Sequence, residues 1–244
     1  MEKINIADIK ISGSGTAGGG RYNEVSISGS GEINGDLECI DFKTSGSSKV
    51  TGNIKSETIK ISGSAKMGGN IEVTEMKVSG STNVVGQIKS QSIKISGAIH
   101  IGESLYGEEV NISGSLYVGK DCEVESFNAS GNFRIKGLLN AGEVNINLGG
   151  KSSVKEIGGE HIVVKASIMD NFFFKKVIDK IFNTKGELTT ELIEGDDIYL
   201  ENTNAKIVRG NNVTIGEGCN INLIEYRGEI IISSDSIVKD QMKV

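Results

Sequence analysis

Eight Ser-Gly pairs recur along this chain at an almost constant spacing. They are Ser12-Gly13, Ser28-Gly29, Ser45-Gly46, Ser62-Gly63, Ser79-Gly80, Ser96-Gly97, Ser113-Gly114 and Ser130-Gly131, and after a first interval that is one shorter they keep a 17-residue period. A fixed period of this length is typical of a solenoid, in which each repeat forms one coil. The spacing therefore predicts a stack of 17-residue coils.

Two apolar columns flank a polar residue just before each pair. Three residues before the Ser stand Ile9, Val25, Phe42, Ile59, Met76, Ile93, Val110 and Phe127, and one residue before it stand Ile11, Ile27, Thr44, Ile61, Val78, Ile95, Ile112 and Ala129. This in-out-in alternation of mostly β-branched side chains indicates a strand with one buried face. Because the pattern returns in every repeat, we expect the strands to stack in parallel and in register.

Further apolar columns lie five and nine residues after the Ser of most repeats. Between them a second glycine recurs, at Gly35, Gly52, Gly69 and Gly86. This glycine and the Ser-Gly pair are expected at corners, where a positive φ or a close backbone approach is needed. Three short strands joined by tight corners make a triangular solenoid, and parallel crossovers favour the right-handed form. The expected fold class is all-β, a right-handed parallel β-helix.

The repeat weakens after Ile146, which divides the chain into three predicted regions. We expect a regular β-helix over residues 1–165, a helical excursion over 166–187 and irregular β coils over 188–244. These last coils are expected either to resume the same solenoid or to pack beside it.

One α-helix is predicted within the excursion, near residues 170–183. Phe173, Val177 and Ile181 fall on one face at helical spacing there. Phe172 points from the opposite face. It is interpreted either as a local staple or as a contact with another subunit.

Composition excludes several classes of protein. A net charge of -6 argues against a nucleic-acid partner, which requires a basic face. The chain has no apolar run long enough for a transmembrane helix, and its first residues lack the apolar core of a signal peptide. Three widely spaced cysteines indicate reduced thiols. We therefore expect a cytoplasmic protein.

One outward column is rich in lysine, at Lys10, Lys43, Lys60, Lys77 and Lys94. Stacked lysines one strand spacing apart are candidates for contact with an anionic surface. The alternative is a solvated face that neutralises itself, because acidic residues stand two positions before three of these lysines. Both interpretations are open from the sequence.

The sequence offers little support for an enzyme. His100 lies in an outward column, and His161 has no partner at a recognisable spacing. No zinc or nucleotide-binding pattern is present, so no catalytic, cofactor-binding or metal-binding residue is assigned. Residues 215–226 resemble two hexapeptide repeats of β-helix acyltransferases. The alternative function is therefore an acyltransferase or a polysaccharide-active β-helix enzyme.

The Ile-x-Ile-Ser-Gly-Ser strand and corner, together with the 17-residue spacing, resemble the bactofilins, which are polymer-forming bacterial cytoskeletal proteins. The stretches 193–203 and 208–213 also resemble the longer Gram-positive members of that family. The resemblance implies a right-handed β-helix that polymerises end to end without nucleotide. It further implies a scaffold for other proteins, often at the inner face of the membrane.

The favoured function is accordingly a non-enzymatic cytoskeletal scaffold without a cofactor. Its expected partners are further copies of itself, client proteins and, peripherally, a membrane, with roles in cell shape, the envelope or motility. The candidate contacts for self-association are Ile9 and Ile11 in the first strand and Phe172 in the predicted helix.

Overall fold

The computed structural model describes residues 7–166 and 186–244. Within these ranges the chain forms strands and no helix, and consecutive coils pair in parallel. The prediction of an all-β parallel solenoid is thus confirmed. The predicted helix near 170–183, and Phe172 with it, lies outside the described residues. The chain divides into two compact units, Met1–Lys120 and Asp121–Val244, whereas the sequence predicted divisions near 165 and 188.

Unit 1 is built from twelve strands among the residues described. They are β1 (Ile9–Ile11), β2 (Ser14–Ile27), β3 (Ser30–Thr44), β4 (Ser47–Val50), β5 (Ile54–Ile61), β6 (Ser64–Met67), β7 (Ile71–Val78), β8 (Ser81–Val84), β9 (Ile88–Ile95), β10 (Ala98–Ile101), β11 (Leu105–Ile112) and β12 (Ser115–Val118). In the regular coils a short strand such as β4 or β6 alternates with a strand twice as long, such as β5 or β7.

The register of unit 1 follows the predicted period. Ile59 lies beside Phe42 on one side and Met76 on the other, and all three are fully buried. Burying such a side chain stabilises the fold by about 1.5–3 kcal/mol. An outward cross-strand pair contributes only about 0.2–1 kcal/mol. The inward columns therefore determine the coil, and the outward columns are free to serve other roles.

The longer strand of each regular coil bends in its middle. In β5 the buried positions are Ile54 and Ser56 before the bend and Ile59 and Ile61 after it, so the inward alternation shifts by one position. The ladder between β5 and β7 omits Glu57 at this point. Each regular coil therefore has two strands rather than the three predicted, because one bent strand forms two sides.

The Ser-Gly corners stack too closely for any side chain at the glycine. A Cβ on Gly80 would lie 1.9 Å from the carbonyl oxygen of Gly63 in the preceding coil. The first corner differs, because a Cβ on Gly13 would have no atom within 4 Å. The glycine is thus required by the coil stacked against it.

A ladder of polar side chains supports the second corner. Asp36 Oδ1 accepts hydrogen bonds from the Asn53 backbone nitrogen (2.7 Å) and from Asn53 Nδ2 (3.2 Å). Asn53 Oδ1 accepts from the Asn70 nitrogen (2.8 Å), and Asn70 Oδ1 accepts from the Gln87 nitrogen (3.0 Å). Each coil thereby satisfies a corner N–H group of the next, which would otherwise lack a partner at the turn.

Unit 2 contains the less regular coils. Its described strands are β13 (Cys122–Ala129), β14 (Asn132–Leu148), β15 (Lys151–Ala166), β16 (Glu187–Leu200), β17 (Thr203–Ile215), β18 (Asn220–Tyr226), β19 (Ile230–Ile232) and β20 (Ile237–Lys243). One column of paired residues runs through Cys122, Leu139, Ile157, Ile193, Val208, Ile224 and Gln241. Since β15 pairs in parallel with β16, the coils on either side of residues 167–185 are direct neighbours in one stack.

Candidate functional site: the first and last coils

The first described coil of unit 1 presents small and apolar residues. Strand β1 pairs with β2 and with no other strand in the described part of the chain. Ile9 and Ile11 are only partly buried, whereas their neighbours Val25 and Ile27 in the next coil are 0% and 1% exposed. The two candidate residues therefore continue a core column to its last described member, and no other described strand covers their outer side.

The glycines that follow β1 keep this surface flat. A Cβ at Gly13 or at Gly18 would have no atom within 4 Å, and a Cβ at Gly15 would meet only the Ile11 side chain, at 3.6 Å. Asp8 holds the start of the coil through Oδ1, which accepts from Asn23 Nδ2 at 3.1 Å. Gly15 and Gly18 lie within strand β2.

The last coil of unit 2 exposes the end of another apolar column. Ile230 and Ile232 lie beside Val213 and Ile215, which are each only 1% exposed. Ile232 itself is 36% exposed, and β19 pairs with β17 and with no other described strand. This coil was not predicted as a candidate site from the sequence, although the three consecutive isoleucines at 230–232 indicate an apolar strand there.

The same coil also carries a polar replacement within an inward column. Gln241 occupies the position of buried Ile224 in the preceding coil, and Asp240 lies beside half-buried Leu223. Both are exposed. The last coil is thus apolar along β19 and of mixed character along β20, where Ile237 and Met242 are exposed apolar residues.

The lysine column is interrupted, and two of its five lysines form ion pairs among the described residues. Lys43, Lys60, Lys77 and Lys94 lie on successive coils, but Ser26 separates Lys10 from Lys43. Lys43 Nζ lies 3.4 Å from Glu24 Oε1 and 3.3 Å from Asp41 Oδ2. Lys77 Nζ lies 2.9 Å from Glu75 Oε1. This geometry favours the interpretation of a self-neutralised face.

The carboxylates of this face are stabilised in their charged form. Thr58 donates a hydrogen bond to Asp41, and together with nearby Lys43 and Lys60 it lowers the pKa of that carboxyl below its ordinary value of 3.8. Lys77 lowers the pKa of Glu75 in the same way. A lowered folded pKa stabilises the fold at neutral pH, and this contribution is lost as the pH falls through the folded pKa.

We expect Asp41→Asn to reduce the loss of stability on acidification from pH 7 to about pH 3 by roughly 0.2–1 kcal/mol, because the pair is exposed to solvent. Thr58→Val should act in the same direction, since it removes the main cause of the shift. Urea unfolding at both pH values measures the effect. Asp196→Asn is the control, as Asp196 is exposed and has no ion pair among the described residues. Equal changes in all three variants would contradict the assignment to Asp41.

The two histidines lie at the surface and in different surroundings. His100 is exposed, as its outward column predicted, and its ring stacks on that of Tyr117 with centroids 4.2 Å apart. His161 Nδ1 lies 3.3 Å from Asp197 Oδ2, a partner that the sequence did not indicate. The two residues are neighbours in register, but residues 167–185 lengthen the spacing between them and hide the relation.

Groups that could perform chemistry are dispersed in the part of the chain described. Cys39, Cys122 and Cys219 are free and buried, and burial raises the pKa of all three thiols. No cluster of three metal-ligating side chains occurs among residues 7–166 and 186–244. The hexad-like stretch 215–226 forms a turn and strand β18, which pairs with β17 and β20.

Comparison with known proteins places the chain in a family. No family model and no solved structure matches it. The uncharacterized protein YhbF of Bacillus subtilis (strain 168) is 43% identical over 109 residues, which cover only 44% of this chain and 42% of YhbF. The uncharacterized protein YhbE of the same organism is 56% identical over 240 residues, which are 98% of this chain and 99% of YhbE. The chain belongs to the YhbE family. Its kinship with YhbE therefore includes both the regular coils and the less regular ones.

The described residues of this YhbE family member include no helix long and apolar enough to cross a membrane.

Proposed function

We propose that this chain is a non-enzymatic, polymer-forming scaffold protein that associates with further copies of itself through its first and last coils. The observation that carries the proposal is the last coil, where Ile230 and Ile232 continue a buried column and β19 lacks a second neighbour among the described strands. Another coil stacked there would add strand pairing and cover the column.

The energetics favour assembly that depends on concentration. Covering a large aliphatic side chain contributes about 1.5–3 kcal/mol. Ile230, Ile232 and Val238 on one coil, with Ile9 and Ile11 on another, offer only a few such contributions. Association costs about 4–15 kcal/mol in lost freedom of motion. Backbone pairing along the open strands must therefore add to apolar burial, as it does between coils within each unit.

The wider role follows from the resemblance to bactofilins. On that basis the polymer forms without nucleotide in the cytoplasm, recruits client proteins and works at the inner face of the membrane, without binding nucleic acid. The outward columns suit a scaffold, since they contribute little to folding and can differ from one coil to the next.

We expect the purified full chain to form filaments or large oligomers without nucleotide, visible by negative-stain electron microscopy and by light scattering. Their abundance should rise with protein concentration and should not respond to added ATP or GTP. A strictly monomeric species at high protein concentration would contradict the proposal. Assembly that required a nucleotide would contradict its mechanism.

A further inference from the structure

Unit 1 carries a groove of about 1140 Å³ along one side of its coils. The floor is the column just before the bend of the long strands, with one residue from each of six successive coils: Tyr22, Cys39, Ser56, Val73, Ser90 and Gly107. At about 4.8 Å per coil, the floor is about 24 Å long. Most floor side chains are buried, with Cys39, Ser56, Val73 and Ser90 at most 7% exposed, so the outward side chains on both rims give the groove its depth.

The floor is internally satisfied and firmly placed. Ser56 Oγ donates to the carbonyl oxygen of Ile40 at 2.9 Å. Ser90 Oγ lies 3.2 Å from the carbonyl oxygen of Thr74, in the equivalent position two coils further on. The serine hydroxyls of the floor are thus already hydrogen-bonded to the backbone at the bend. A ligand would therefore be recognised mainly by side chains on the rims.

The charges on the rims nearly cancel. Three basic residues and four acidic residues line the groove, namely Arg21, Lys55 and Lys89 against Glu38, Glu57, Glu72 and Glu108. Arg21 pairs with Glu38 at 3.0 Å and Lys55 with Glu72 at 2.9 Å. The groove is therefore not complementary to a strongly charged polymer of either sign.

The groove is also lined by neutral hydrogen-bonding side chains and two aromatic rings. Thr74, Gln87 and Gln91 lie along the groove, and Tyr22 and Tyr106 lie near its two ends. The Tyr22 hydroxyl donates to the carbonyl oxygen of Gly18 at 3.0 Å, which fixes its ring. Amides and hydroxyls offer donors and acceptors together, and tyrosine rings offer an apolar face. This combination suits a ligand whose ring faces are apolar and whose edges carry hydroxyl groups.

We propose that this groove binds an uncharged, linear β-1,4-linked glycan that lies parallel to the stack of coils. An extended chain of six β-1,4-linked sugar rings has about the length of the floor, about 24 Å. The length of the groove, its cancelled charge and its neutral hydrogen-bonding side chains with two tyrosine rings favour the glycan.

Two carboxylates of the groove are placed to bind a ligand. Glu57 and Glu108 have no ion-pair partner among the described residues, and they occupy one column three coils apart, which is about 14 Å. Glycosidase carboxylates stand about 5–9.5 Å apart. These two carboxylates are therefore suited to accept hydrogen bonds from separate sugar residues. The inference does not depend on self-association through the end coils.

The test is titration calorimetry of the full chain with cellohexaose and chitohexaose, alongside the matching trisaccharides and maltohexaose. We expect both β-1,4 hexaoses to bind about tenfold more tightly than their trisaccharides and than curved maltohexaose, because only they span the six coils. Tyr106→Ala should weaken hexaose binding by about tenfold, since it removes one aromatic platform.

Tyr117→Ala is the matched control, as this partly exposed tyrosine lies in unit 1 outside the groove, and its binding should be unchanged. Circular dichroism confirms that both variants remain folded. The proposal is overturned if no β-1,4 hexaose binds at millimolar concentration, if affinity does not grow with chain length, or if Tyr117→Ala matches Tyr106→Ala. Preference for heparin, a polyanion, over the neutral hexaoses would also overturn it.

Discussion

Replacing Gly80 with alanine is expected to lower the free energy of unfolding by about 1–3 kcal/mol, as overpacking of a close contact does. A Cβ at this position would lie 1.9 Å from the Gly63 carbonyl oxygen and 2.6 Å from that of Ser62. Both atoms belong to the backbone of the neighbouring coil, so the coils must separate locally to admit the methyl group. Urea unfolding followed by circular dichroism measures the loss.

Gly13→Ala is the matched control for this substitution. Gly13 stands in the same Ser-Gly-Ser sequence as Gly80, but nothing lies within 4 Å of its built Cβ. Its variant should stay within about 0.5 kcal/mol of the unmodified protein, as most open surface substitutions do. Equal losses at the two sites would show that the corner needs glycine for its own conformation. The close approach of the next coil would then not be the reason.

Replacing Ile232 with aspartate is expected to raise the protein concentration needed for assembly by about 100-fold or more, because an unpaired charge buried at an interface costs several kcal/mol. Ile232 is 36% exposed in the last coil, so the fold should tolerate the change. Light scattering across a concentration series measures assembly, and thermal melting monitors the fold. Ile11→Asp should act similarly at the first described coil.

Val85→Asp provides the comparison for these two variants. Val85 is 62% exposed and follows β8, which has neighbouring strands on both sides. The Val85→Asp substitution should therefore leave assembly through the end coils unaffected. Loss of assembly in Val85→Asp with retention in Ile232→Asp would assign the contact to the sides of the coils and refute stacking through their ends.

The strand columns of unit 1 could be predicted from the sequence because burial there has a strict period. Ile59 and Ile93 are inward for the same reason, and each occupies the same place in its coil. The bend in the long strand was missed, because the residues at the bend share no chemistry. Ile40, Glu57 and Thr74 fill that position in successive coils, and only the shift in inward alternation from Ser56 to Ile59 indicates it.

Features of the candidate sites were predicted unevenly. Ile9 and Ile11 followed from the columns, whereas the last coil was hidden by variable coil lengths in unit 2. The corner ladder was within reach of the sequence, since Asp36, Asn53 and Asn70 occupy the same place in three successive repeats. The contact of His161 with Asp197 could not be predicted from the sequence, because the number of residues between them matches no period in the chain.

The wide separation of such partners has a consequence for how these chains can diversify. Lys151 and Glu187 are paired neighbours, although the whole stretch 167–185 lies between their strands in the sequence. The strands before and after that stretch keep their ladder, so the stack accepts added sequence between two coils without losing its order. A connection between two paired coils is therefore a position where related chains can gain an inserted domain while the solenoid itself stays unchanged.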